Sequence, residues 1–76
     1  MNVSDAVKMA LVKAGKTQVD LMPVYGMSSR QAMNNKFARN SWSASDLAKA
    51  AAFTGGKLVI QYPDGQDIPI FPDDAE

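Results

Sequence analysis

Between Ser28 and Asn40 the chain carries Ser28, Ser29, Gln31, Asn34, Asn35 and Asn40 together with Arg30, Lys36 and Arg39, and no acid at all. Amides that both donate and accept, and guanidinium groups that donate as a fork, are the groups that bond base edges in pairs. Asn and Gln suit adenine and Arg suits guanine. If the segment is helical, steps of about 100° per residue turn Met33 and Phe37 to one side. Gln31, Asn34, Asn35, Ala38 and Arg39 then fall on the other, with Arg30 and Lys36 around them. Ala38 is small enough to let such a helix approach the bases, and the serines and free amides at its start suit a phosphate. The plain alternative is a polar face that is merely wet. Two features weigh against it. A passive face is usually built from Glu–Lys pairs that favour helix, whereas this one has no acid and its three asparagines disfavour helix interiors.

Composition narrows the remaining chemistry. The 76 residues include no Cys and no His, which removes thiolate metal sites, disulfides and the commonest general base. No enzymatic activity, metal, cofactor or small-molecule substrate is expected. Asp64-Gly65-Gln66-Asp67 lacks the alternating oxygen ligands of a calcium loop, and Thr54-Gly55-Gly56-Lys57 lacks the spacing of a phosphate loop. Nothing in the sequence spans a membrane or reads as an export signal, which leaves the cytoplasm as the expected compartment. The net charge is zero, but it is unevenly placed. All eight Lys and Arg lie in residues 1–57, against Asp5, Asp20 and Asp46, a local excess of five positive charges. Residues 58–76 hold five carboxylates and no base. A basic body with an acidic end keeps a polyanionic partner within reach.

A mainly α domain must position the polar segment. Asn2…Asp5, Thr17…Asp20, Ser28…Gln31 and Ser43…Asp46 each read as a capping pair at a helix start. The first helix is expected over Val3 to Ala14, with Val3, Val7, Leu11 and Ala14 as its apolar stripe beside Ala6 and Ala10, and Gly15 as its stop. The second follows Thr17 and contains Leu21 and Met22. The third occupies Ser29 to Arg39, with Ala32, Met33 and Phe37 inward. The fourth runs from Ala44 to about Phe53, with Leu47, Ala50, Ala51 and Phe53 inward, and ends at Gly55-Gly56. The period then changes: residues 57–62 and 67–71 read as two short strands about a Pro63-Asp64-Gly65-Gln66 turn, and Pro69 makes the second an edge. Residues 72–76 read as an acidic flexible tail. Trp42, between helices, is expected to plug the core rather than stack on a base, and Met9, Met22, Met27 and Met33 to fill it.

Lys16-Thr17-Gln18-Val19-Asp20-Leu21, Gly26-Met27-Ser28 and Gln31-Ala32-Met33-Asn34-Asn35-Lys36-Phe37 together resemble the phage-repressor-like helix-turn-helix family of the Cro, lambda-repressor or XRE type. Asp46-Leu47 through Gly55-Gly56 and Leu58-Val59-Ile60 look like a branch that follows its last helix with a strand. The resemblance covers about residues 3 to 60. It implies a compact four-helix domain over residues 1–56 with a C-terminal β-hairpin over 57–71. It also implies sequence-specific binding of double-stranded DNA by a small transcriptional regulator of phage or mobile-element kind. In that family the second member of the motif lies in the major groove. By position, Gln18 resembles a phosphate-contacting residue, and Ser28 begins the reading segment. Ser29, Arg30, Gln31 and Asn34 would face base edges, and Asn35, Lys36 and Arg39 bases or phosphates. The loop Asn40-Ser41-Trp42-Ser43 would sit near a phosphate.

The chain departs from that pattern twice. Pro23 falls where the family keeps regular helix, which removes a hydrogen bond and clashes one turn back. Aligning both flanks also needs one extra residue between Gly26 and Met33. A short or kinked second helix and a longer turn follow, and the register of the third is open by one position. A homodimer on a palindromic site, paired through the hairpin at 57–71, would double the base contacts; the other reading of that hairpin is that it packs on the helices of its own chain. The alternative of another class is a protein-interaction module on the same fold, an antitoxin or phage inhibitor docking through its acidic hairpin.

Overall fold

The computed structural model describes residues 1–72. Four α-helices precede a small antiparallel sheet: α1 (Val3–Ala14), α2 (Gln18–Leu21), α3 (Arg30–Arg39), α4 (Ala44–Phe53), β1 (Leu58–Gln61) and β2 (Asp67–Ile70). Residues 73–76 of the expected acidic tail lie outside the described residues.

Three of the four helix starts are closed by reciprocal capping boxes, Asn2 with Asp5, Thr17 with Asp20 and Ser43 with Asp46. Each satisfies two amides that the first turn would otherwise leave unpaired. The fourth expectation is corrected by one residue: Ser29, not Ser28, caps α3, its hydroxyl accepting from the Ala32 amide at 3.1 Å. Ser29 has the extended backbone a cap requires. The residue three beyond it is Ala32, which has nothing to reach back with, so no box forms. Gln31 instead donates to Asn35 at 3.1 Å.

Pro23 ends α2 early. After four α-helical residues the chain tightens into a 3₁₀ turn over Met22–Tyr25, with Pro23 near its start, where a missing amide costs little. Met22 therefore belongs to this turn rather than to the second helix. Gly26 then takes the left-handed conformation (φ 65°) and donates to Pro23 O, a backbone geometry that penalises any side chain. The expected short helix and long turn are both present, and Met27 to Ser29 lead into α3.

Val7, Leu11, Leu21, Met33, Phe37 and Ala50 form the core, with Val3, Met22, Val24, Tyr25, Met27, Trp42, Leu47 and Phe53 packed against it. Ala48 is buried too. Met9 faces solvent, 59% exposed, so it does not fill the core, and Ala6 is also exposed. Trp42 is the expected plug: its ring meets Phe37 and Tyr25 edge to face at 5.0 and 6.1 Å, and its Nε1 donates to Ser4 Oγ at 2.9 Å. Ser4 Oγ donates in turn to Phe37 O at 2.8 Å, and the Ser4 amide donates to Asn40 Oδ1 at 2.9 Å. Those bonds tie the start of α1 to the end of α3.

The strands pair Leu58 with Ile70 and Ile60 with Ile68 on one face, Val59 with Pro69 and Gln61 with Asp67 on the other. Leu58 reaches the helices beside Ala6, Val7, Ala10, Leu47, Ala50 and Ala51. Farther along, Ile60, Tyr62, Ile68 and Phe71 are exposed. No helix among the described residues is long and apolar enough to cross a membrane.

Candidate nucleic-acid interface

On α3, successive positions turn by about 100°. Arg30, Asn34, Ala38, Gln31, Asn35 and Arg39 therefore occupy, in that angular order, an arc of about 180°, while Met33 and Phe37 are buried beyond its Arg30 edge. Arg30, Gln31, Asn34, Ala38 and Arg39 are exposed and Asn35 is half-buried. Ser28 lies exposed in the preceding turn. Ser29 is exposed as well, but its hydroxyl already accepts from the helix it caps. Gln18, the first residue of α2, is half-buried and shares a cleft with Val19, Met22, Arg30, Met33 and Asn34. Gln18, Arg30 and Asn34 thus line one opening from two elements.

Lys36 does not join them. It lies about 60° past Arg39 on the wheel, and its Nζ is 2.6 Å from Asp46 Oδ2 and 2.7 Å from Ser41 O. The ammonium also stands 5.0 Å from the Tyr25 ring centroid and 4.8 Å from that of Trp42, close enough for cation–π attraction. Asp46 is itself the acid of the α4 capping box, so one carboxylate closes a helix start and anchors the cation. Partial burial works against the Asp46 charge. The hydrogen bonds from Lys36 and Ser43 and the charge of Lys36 outweigh it and hold the carboxyl below the usual carboxylate range. The Tyr25 hydroxyl donates to Asp46 O at 2.6 Å. Burial, and then the nearby Asp46 charge, push that hydroxyl well above the ordinary tyrosine range. Lys36, expected to meet bases or phosphates, has its ammonium engaged at the joint between α3 and α4.

Lys16 has a similar internal role, its Nζ donating to Phe53 O at 3.2 Å and standing 4.0 Å over the Phe53 ring. A cation at the carbonyl end of α4 also opposes the negative end of that helix. Lys8 was not singled out in the sequence, yet it is exposed, stands 5.7 Å from the Phe37 ring and lines a groove with Val12, Lys16, Thr17 and Gln18. It adds positive charge beside Gln18. Its position one helical turn from Val12 gave only a weak signal, because nothing in the local sequence tells which face of α1 meets α3. Loop residues Ser41 and Trp42 are engaged internally, through Ser41 O and the Trp42 ring. No cluster of three or more metal-ligating side chains occurs among the described residues.

The chain matches no protein-family model, and no curated protein or solved structure is similar enough to it to count as a match.

Proposed function

We propose that the chain is a small transcriptional regulator that binds double-stranded DNA sequence-specifically, with α3 in the major groove. α2, the 3₁₀ turn and α3 serve in this reading as a repressor-type helix-turn-helix. The observation that carries it is the exposed arc of α3: Arg30, Gln31, Asn34, Asn35 and Arg39 around the small Ala38, without an acid on the helix. Arg30 and Asn34 lie where base edges are read, Gln31 and Asn35 extend the amide surface, and Arg39, Lys8 and Gln18 flank it as phosphate contacts. Asp20, Asp5 and Asp46 are each held in a capping box, so those acids stand at helix starts rather than on the reading face.

The protein acts as a homodimer in this proposal, since one short helix offers few base contacts, each good pair contributing about 1–3 kcal/mol of discrimination. The seam is the hairpin, where Ile60, Tyr62, Ile68 and Phe71 stand open to solvent. The same surface, with Asp64 and Asp67 beside it, favours a second reading in which the hairpin docks on a protein partner. Selection from a random duplex pool separates the two. Enrichment of a related set of duplexes supports the regulator, and enrichment of none at low salt refutes it.

A further inference from the structure

The cleft between α2 and α3, about 250 Å³, is lined by polar Gln18, Arg30 and Asn34 and by apolar Val19, Met22 and Met33. Met33 is fully buried, whereas Val19 leaves 47% of its surface in water. A branched apolar side chain half open beside an amide and a guanidinium gains stability only when something apolar covers it. Three side chains are too small a patch for a peptide segment, since stable protein contacts need far more surface. On a DNA base edge the group that can lie against Val19 is the 5-methyl of thymine, the one apolar group the major groove displays. Resting on the reading of α3 as the groove-entering helix, we propose that this cleft seats a thymine methyl. An A·T pair read on its adenine by the Asn34 carboxamide displays that methyl in the same groove, and Asn34 and Val19 line the same cleft. The protein therefore requires a particular thymine, as distinct from any pyrimidine that pairs with adenine.

The test uses a duplex selected by the full chain, with each thymine replaced in turn by deoxyuridine, which removes the methyl and keeps the pairing. One position is expected to weaken binding about fourfold, the effect of leaving one methyl group unburied. In Val19→Ser, whose fold is checked by circular dichroism because the side chain is half exposed, the penalty at that position should shrink to near one. Tight binding with no deoxyuridine penalty overturns the inference and leaves DNA reading standing. A penalty undiminished in Val19→Ser also overturns it, because the methyl is then read elsewhere. Failure to select any duplex refutes DNA reading itself and the inference with it.

Discussion

Replacing Lys36 by Met keeps an unbranched apolar stem of similar reach and removes only the ammonium. In the folded chain that group bonds Asp46 Oδ2 at 2.6 Å and Ser41 O at 2.7 Å, and the Lys36 and Asp46 side chains are 12% and 26% exposed. A hydrogen bond to a charged group contributes about 1.5–3 kcal/mol. The exposure of Asp46 and the capping amide that still reaches it place the expected loss near the low end. For a domain of this size each kcal/mol moves Tm by about 4–8 °C, so Lys36→Met should melt at least several degrees lower. Its DNA affinity, measured below that melting range, should fall with log[salt] at the slope of the parent. A phosphate contact would behave in the opposite way, leaving Tm alone and lowering the slope by about one. That second pattern, an unchanged melt with a reduced slope, would refute the assignment of Lys36 to the α3–α4 joint.

The other expectations are briefer. Ser29→Ala should cost about 1 kcal/mol and Ser28→Ala almost nothing, compared by urea unfolding; equal losses would move the cap back to Ser28. The folded state holds the Tyr25 hydroxyl neutral and raises its pKa. The stabilisation from that shift is complete below about pH 10, the unfolded value, and lost as pH rises above it. Tyr25→Phe should therefore flatten the alkaline limb of a pH–stability curve; a limb of unchanged steepness contradicts the burial argument. Asp46 has the reverse sign: its lowered pKa stabilises the fold above the normal carboxylate range and ceases to do so as pH falls through the folded value. Asp46→Asn should lose less stability on acidification than the parent, by chemical denaturation across acid pH. Changing Ile60 and Ile68 together to Lys should convert a dimer to a monomer in sedimentation equilibrium without lowering helix content, and a parent that sediments as a monomer would exclude the hairpin seam.

Much of the architecture was written locally. The capping pairs at Asn2, Thr17 and Ser43, the stop at Gly15 and the change of period after Gly56 each act within a few residues, and each is where the sequence put it. Pro23 is a backbone constraint and was legible as a shortened second helix. The cap of α3 was misplaced because Ser28 and Ser29 are chemically equivalent, and only the path of the chain through Gly26 decides which one caps the helix. The partner of Lys36 was hidden for a different reason. On the helical wheel it borders the polar arc, and nothing near it in sequence reveals that Asp46, ten residues on, folds beneath it. Long-range pairings such as Ser4 with Asn40, or Lys8 with Phe37, depend on how helices cross. Periodicity within one helix carries no record of that.

The most direct measurement is a salt-titrated binding assay of the full chain on selected duplex, run beside Arg30→Ala combined with Asn34→Ala. Both side chains are exposed, so the double variant should unfold like the parent. The logarithm of the parent's binding constant should fall linearly with log[salt]. The double variant should lose discrimination between selected and scrambled duplex, by about 2–6 kcal/mol if both contacts are base pairs of full strength, while keeping weak binding to either. No detectable binding by the parent at low salt, or a double variant that discriminates as well as the parent, would contradict the assignment of α3 as the reading helix.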